Sequence, residues 1–528
     1  MMYAEQESIG RRATRTLLAV VLGRFAGLII LAVTFILVAR LLAPSNYGVY
    51  TVAIGYAALI AAVAQFGVAS YFDKNVAALS YKKDKKGLGR VISNGYAVVV
   101  PISLALMLLG IALSGLIAST YLKNSGVESF TLILVSIDIF FSTLWNTSFS
   151  ALIGFGRGRQ ASVSLILLLL LQLILGVGLI YAGFGVNGAI SGLLIGDMLG
   201  FLLTTYYTMR AYASFGGGAL ALPSIEGIKE TLSFSVPLAI NNLMGSGVAN
   251  FATLFLSTFV SAYVLGNYGT AIKGLGMMNF VYGNLAMVLI QAFSTIIYTA
   301  KKKAAVNNAY NTAIVYSLLI NLPIVVFVGI FSGPLVGLFL TSSYSTAAGY
   351  ISLIALGTTI AIINSFTLSF FTAAGKVGEV FKISAAAALV QLASLVILVP
   401  YLGAIGAILS LYIIGSIVPL LLYIHRLGKV FSVRLQYPKI YRIFAGNTLL
   451  ALLLSPILLM HFNLAEIVLG IVAVILIYPP ILVLFGCIDD KILKELISLA
   501  RALPVLDRVL ILIRSYVLVF IRAFGTKE

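Results

Sequence analysis

Ionisable residues inside long apolar runs are the groups of this chain that could do chemistry. Each costs roughly 2.5 to 3.5 kcal/mol to place at the centre of a membrane helix, so each needs a reason to be there. Two are cations: Arg24 in Gly23-Arg24-Phe25-Ala26-Gly27, and Lys273 in the first turns of a later run. A guanidinium grips phosphate oxygens in bidentate fashion and an ammonium acts as a point charge, so the two facing one cavity would hold an anionic headgroup such as a phosphate or pyrophosphate. Against that stand snorkelling to an interface and pairing with a carboxylate. The interior acids are Asp138 and Asp197. They could be counter-ions for Arg24 or could bind a coupling proton or sodium ion.

Polar amides form a third set. Gln65 ends an early run, Asn241, Asn242 and Asn250 interrupt a later one together with Ser235 and Pro237, and Asn279, Asn284 and Gln291 occupy the next. Each must bond to a neighbouring helix or face a hydrated cavity. Gln65, Asn241, Asn242, Asn250, Asn279 and Asn284 are therefore candidate cavity-lining residues, and Pro237 predicts a kink.

Other chemistry lacks its residues. No G-x-x-x-x-G-K-[ST] loop is present, and Gly154-Phe155-Gly156-Arg157-Gly158-Arg159 suits a basic turn rather than a nucleotide site. His425 and His461 are the only histidines and belong to opposite membrane faces, while the one cysteine, Cys487, allows neither a disulfide framework nor a thiol metal cluster. No catalytic residue, metal or cofactor is expected. The short external loops leave no room for a glycosyltransferase or ligase site, so the chain reads as something other than an enzyme.

The elements that must position these residues follow from composition. The chain has 61% hydrophobic and 9% charged residues among 528, a balance that belongs to a membrane protein. Its long uniform apolar spans must be helices rather than barrel strands. Runs of about 20 residues recur, giving an all-α integral membrane protein of about 14 transmembrane helices. The spans are 17 to 39, 47 to 69, 91 to 118, 127 to 153, 161 to 182 and 186 to 209, then 232 to 258, 267 to 298, 309 to 331, 347 to 373, 380 to 401 and 404 to 425, with a last pair at 441 to 461 and 465 to 486. The first span is too long for a signal segment and reads as a permanent helix.

A formal charge of +18 raises the possibility of nucleic acid, which the distribution answers. Alternate connections collect the basic residues, among them Arg11, Arg12, Lys82, Lys83, Lys85, Lys86, Arg157, Arg159, Lys301 to Lys303, Arg426 and Lys439. Apart from Arg40 at a helix end, the opposite connections hold Lys123 alone. This is the positive-inside pattern with both termini cytoplasmic in a cell membrane, and nucleic acid is not an expected partner.

Two strings recur. Asn46-Tyr47-Gly48 returns as Asn267-Tyr268-Gly269 at an offset of 221, and Gly185 to Ile190 returns as Gly403 to Ile408 at an offset of 218. Chance recurrence in a Gly- and Ala-rich chain is the competing reading. Duplication of a six-span unit would give two parallel repeats about an axis along the membrane normal, with substrate between the bundles. The expected segments are a cytoplasmic N-terminus at 1–16, six-helix bundles at 17–210 and 232–426, a linker at 211–231, a loop at 427–440, two extra helices at 441–486 and a tail at 487–528. In that tail charged residues share one face over 489–501 and again over 506–524, which predicts cytoplasmic interfacial amphipathic helices, a fifteenth span being the alternative for the second.

Ala39-Arg40-Leu41-Leu42-Ala43-Pro44-Ser45-Asn46-Tyr47-Gly48-Val49-Tyr50 resembles the first-loop pattern of the Wzx-like polysaccharide and oligosaccharide flippases of the multidrug/oligosaccharidyl-lipid/polysaccharide exporter superfamily. Gln65-Phe66-Gly67-Val68, Phe234-Ser235-Val236-Pro237 and the Gly185 string with its repeat are similar to that family too. The resemblance covers most of residues 10 to 430. It implies two six-helix bundles in a V, a cationic cavity and alternating access that carries a lipid-linked oligosaccharide headgroup across while its polyprenyl or dolichyl tail stays in lipid. Arg24 and Lys273 match the expected cations. Implied partners are the lipid-linked glycan, membrane lipids, a coupling H+ or Na+ and glycan-assembly enzymes, the protein itself acting as a monomer. A multidrug exporter of the same superfamily is the alternative, with Asp138 or Asp197 as its acidic ion site. A non-transporting membrane scaffold is the second alternative.

Overall fold

The computed structural model describes residues 2–218, 220–274, 303–431, 433–460 and 463–488, with 276, 293–294, 296–297 and 520 beside them; of 2–19, 21, 241, 242, 303, 460 and 463 it describes the backbone only. Asn279, Asn284, Gln291, His461, the side chains of Asn241 and Asn242, and the expected amphipathic tail apart from Phe520 lie outside what is described.

Among the described residues every regular element is a helix, as hydrocarbon demands of backbone amides it cannot solvate. They are α1 (Met2–Ala64), α2 (Val68–Lys82), α3 (Lys85–Leu116), α4 (Ser129–Gly154), α5 (Gly158–Leu179), α6 (Gly185–Ser214), α7 (Ile225–Asn242), α8 (Val248–Ser257) and α9 (262–274). There follow α10 (Lys303–Ile330), α11 (Ser332–Phe339), α12 (Ser345–Ala373), α13 (Val377–Ile408), α14 (Gly415–Phe431), α15 (Tyr437–Leu454) and α16 (Asn463–Leu484).

Nine stretches of described helix are long and apolar enough to cross a bilayer, and three of them, Leu22–Ala64, Gly158–Ser214 and Val377–Phe431, run to 43, 57 and 55 residues. At about 1.5 Å per residue each is at least twice the roughly 30 Å of a hydrocarbon core. Each breaks where the sequence separates two spans: at Ala43 (φ 57°) before Pro44, at Gly183 and Gly185 (φ 92° and 51°), and at Gly403 (φ 54°). Across these breaks the chain packs on itself: the Phe35 and Tyr47 rings meet at 6.2 Å, Gly188 lies against the Leu179 carbonyl and Gly406 against the Leu398 carbonyl. Most of the eighth expected span, 267 to 298, lies outside the described residues, so the described helices do not count to fourteen.

The chain forms two compact units, one of residues 1–273 with 391–407 and one of 274–390 with 408–528. In the first, α6 packs along α4 and α5, α1 along α5 and α4, and α3 along α4. Its core gathers Tyr71, Phe72, Ile92, Leu152 and Tyr212. Glycines 188, 192, 196 and 200 repeat every fourth residue of α6 and sit on Leu179, Gly176, Gln172 and Leu168 of α5, so these two backbones approach as closely as the missing Cβ atoms allow. In the second unit, α10 packs on α12 and α15, and α15 on α16. Its core is aromatic, with Phe293, Tyr310, Phe370, Phe371, Tyr423 and Phe431 in ring contact.

Several local features recur along the chain at offsets near 218. Gly156 and Gly375 both take φ 70°. They close α4 and α12 with the same pair of hydrogen bonds, Gly156 N to Ile153 O and Arg157 N to Leu152 O, Gly375 N to Thr372 O and Lys376 N to Phe371 O. Their offset is 219, one more than the 218 between Gly185 and Gly403. Asn46-Tyr47-Gly48 recurs as Asn267-Tyr268-Gly269 at 221, while Gly48 with Gly266, Tyr50 with Tyr268 and Ala53 with Ala271 stand at 218, and Gly48 and Gly266 approach each other closely. The Asn-Tyr-Gly match stands three residues from that offset.

Candidate functional site

Asp138 and Asp197 come together in the first unit. Asp138 stands on α4 among the buried hydroxyls of Ser136 and Thr143, and Asp197 on α6 next to Gly196. They are 8% and 7% exposed and hydrogen-bond each other through their side chains. The close packing of α5 on α6 brings Gln172 alongside, where its Nε2 donates to Asp197 Oδ1 at 3.0 Å. Tyr50 of α1 lies near enough to Asp138 to interact with its charge, and Asp138 Oδ1 has no hydrogen-bond partner among the described residues. Four helices thus converge on a buried acidic pair, Asp138 and Asp197, with Gln172 donating to one of its carboxyl groups.

Arg24 lies elsewhere. On α1 its neighbours Gly23 and Gly27 rest on Ser162 and Leu169 of α5, while Arg24 itself is exposed. Its charge acts on Asp73 of α2, whose side chain also hydrogen-bonds Ser150 of α4. Asp73 is accessible as a residue, yet partial desolvation of its carboxyl raises it above the ordinary carboxylate range, and the Ser150 hydroxyl and the Arg24 guanidinium pull it back. The next residue, Lys74, places Nζ 4.8 Å from the centroid of the Phe234 ring. Lys273 is an exposed residue near the end of described α9.

The described amides are bonded. Asn146 Nδ2 donates to Gln65 Oε1 at 3.1 Å, joining α4 to the break between α1 and α2, and Asn250 Nδ2 caps the Ser246 carbonyl within its own segment at 2.9 Å. The break at Gln65 has a local cause: Phe66 and Gly67 take φ 45° and 71°, and Gly67 abuts the Ser235 carbonyl of α7 too closely for a Cβ.

Sequence reading missed Asp73, Ser150, Gln172, Asn146 and Tyr50 as members of these constellations. Gln172 carried a usable signal, as the one amide in the run from Leu165 to Leu175. Asp73 was masked by its basic neighbours, because a lone acid beside Lys74 in a basic segment reads as surface.

A family profile described as Polysaccharide biosynthesis protein matches residues 37–349. No curated protein matches the chain. Among solved structures, a lipid II flippase, MurJ, in an inward closed conformation superposes with a TM-score of 0.70 at 19% identity, covering 89% of this chain and 98% of that one. An inward-facing multidrug resistance MATE family transporter of the MOP superfamily gives 0.65 at 18% identity, covering 77% and 94%. An outward-facing transporter of that family gives 0.55 at 19%, covering 80% and 95%. These similarities show that the chain shares the fold of these multi-pass membrane proteins.

Proposed function

Because the chain belongs to the polysaccharide biosynthesis protein family, we propose that it is a flippase, moving a lipid-linked oligosaccharide across the cell membrane by alternating access for surface polysaccharide or glycan assembly. The observation that carries this reading is the family match on a fold that covers nearly the whole of a lipid II flippase. Such a substrate joins a phosphate or pyrophosphate to a polyprenyl or dolichyl tail, so the protein must offer cations to the headgroup and leave the tail in lipid. Arg24 and Lys273 are the proposed headgroup cations, with Gln65, Asn241, Asn242, Asn250, Asn279 and Asn284 as polar lining. The repeats at 17–210 and 232–426 rock during the cycle, and the pair at 441–486 accompanies the tail. No catalytic step is assigned, and glycan-assembly enzymes are the proposed partners of a monomer with cytoplasmic termini.

The Asp138–Asp197 pair is the proposed coupling site. A buried pair holding one proton can exchange it for another cation at far smaller cost than an isolated carboxylate could bear. The same pair supports the second reading, an ion-coupled drug exporter, since a MATE transporter shares the fold.

The test is translocation of a fluorescent polyprenyl-pyrophosphate oligosaccharide in proteoliposomes by the parent protein, by Arg24→Ala and in protein-free vesicles. Protein-dependent translocation lost in Arg24→Ala supports the flippase with its cationic site. Absence of translocation with phosphate and pyrophosphate carriers alike, alongside ion-driven dye efflux, would replace it by the drug exporter.

A further inference from the structure

Three turns meet on the face of the protein whose connections are poor in charge. The connection 117–128 holds only Lys123 and Glu128 as charged residues, 258–261 holds none, and the break at Ala43 follows Arg40. Asn124 Nδ2 donates to the Thr258 carbonyl at 2.9 Å, a contact between segments distant in sequence. Gly126 rests on Val49, and Gly403 on Val260.

Beneath this hydrogen bond α1 and α9 cross backbone to backbone. A Cβ at Gly48 would collide with the Ala262 carbonyl, one at Gly266 with the Pro44 carbonyl, and one at Gly269 with the Thr51 side chain. The contact is reciprocal: Pro44 and Ala262, Gly48 and Gly266, and Thr51 and Gly269 all stand at the repeat offset of 218. Equivalent positions of the two repeats therefore touch each other, as happens only where the axis relating them passes. Asn267 and Tyr268, flanked by these glycines, are fully buried.

We infer that the Gly48–Gly266 crossing, latched by Asn124 on the Thr258 carbonyl, is the gate that closes the charge-poor face. A backbone contact without side chains involves few atoms and no interlocked rotamers, so it can part and re-form without repacking a core. Its place on the repeat axis means that a motion turning one repeat against the other separates both partners equally. One amide hydrogen bond suits a latch, since such bonds are individually modest and water replaces the partner once the turns separate. The gate rests on the transport reading for its purpose, but its geometry can be tested without substrate.

The experiment uses the full chain in lipid nanodiscs with Cys487→Ala and nitroxide labels on cysteines at Tyr121 and Phe259, which are 63% and 46% exposed on the meeting turns. The closed gate gives one dominant short distance. Gly48→Val and Gly266→Val each shift most of the population to a longer distance, whereas Gly178→Val, where a Cβ meets nothing within 4 Å, does not. Unchanged distributions in both gate variants overturn the proposal. Where a valine variant does not fold, Asn124→Cys with Thr258→Cys decides: oxidation abolishes translocation of the polyprenyl-pyrophosphate oligosaccharide and reduction restores it. Translocation that persists in the cross-linked protein overturns the gate. Lack of translocation by the reduced and parent proteins overturns the transport reading instead, leaving the distances to decide the gate.

Discussion

Gly185 and Gly403, equivalent positions of the two repeats, share one unusual backbone conformation, φ 51° with ψ −130° and φ 54° with ψ −128°. No L side chain adopts it comfortably, so each glycine is required by the turn between two membrane helices rather than by space. A Cβ on Gly185 would meet nothing within 4 Å, and one on Gly403 would touch only Val260 at 3.2 Å.

Gly185→Ala and Gly403→Ala therefore each lose stability by about 1 to 3 kcal/mol, the usual cost of a strained residue. The two losses should be alike despite different surroundings. Thermal unfolding followed through Trp145, the single tryptophan, measures both. An effect at Gly403 alone would place the cause in its contact with Val260.

A second equivalent pair anchors the segment that leaves each repeat. Asn94 Oδ1 accepts from Ser224 N at 3.0 Å, and Asn311 Oδ1 accepts from Gln436 N at 2.8 Å while its Nδ2 donates to the Arg434 carbonyl at 2.9 Å. Both asparagines are buried, and they occupy matching places within a residue of the repeat register. Replacing either by Ala removes hydrogen bonds to part-buried backbone groups, each a loss of about 0.5 to 1.5 kcal/mol. Faster amide exchange should follow at 224–227 for Asn94→Ala and at 434–436 for Asn311→Ala, each confined to its own segment.

The carboxyl pair gives a sharper contrast. Asp197→Asn keeps a hydrogen-bonding group for Asp138 and Gln172 while removing one ionisable group of the proposed coupling pair, so the protein should fold and purify as the parent does. Translocation driven by a pH gradient should fall to the undriven rate. Gln172→Leu leaves Asp197 short of a donor and should lower stability by about 1 to 3 kcal/mol. Gradient-driven transport by Asp197→Asn at the parental rate would remove the pair from coupling.

Asp73 carries a pH signature of definite sign. Its carboxyl is raised by desolvation, so the folded protein holds that proton more tightly than the unfolded chain does. This contribution is fully present below the ordinary aspartate range and is lost as pH rises towards the raised value. Asp73→Asn should therefore unfold at a higher temperature than the parent at neutral pH, with the difference vanishing below the ordinary aspartate range. A variant less stable at neutral pH would mean that attraction to Arg24 outweighs desolvation.

By itself the sequence determined the solvent, the helical class and the positions of most spans. Each rests on length and hydropathy, which act locally: an apolar run must be helical in hydrocarbon whatever its neighbours do. The helix breaks at Pro44, Gly185 and Gly403 were legible for the same reason, since backbone preference belongs to single residues. Tertiary structure alone decided partnership. Asp138 could have served Arg24 or Asp197, and the glycine ladder of α6, which sets how close α5 comes, brought Gln172 and the second acid instead. Arg24 found Asp73, a residue the charge pattern had merged with a basic surface. That the backbones at Gly48 and Gly266 touch is likewise a tertiary fact, since no string match along the chain shows which segments meet.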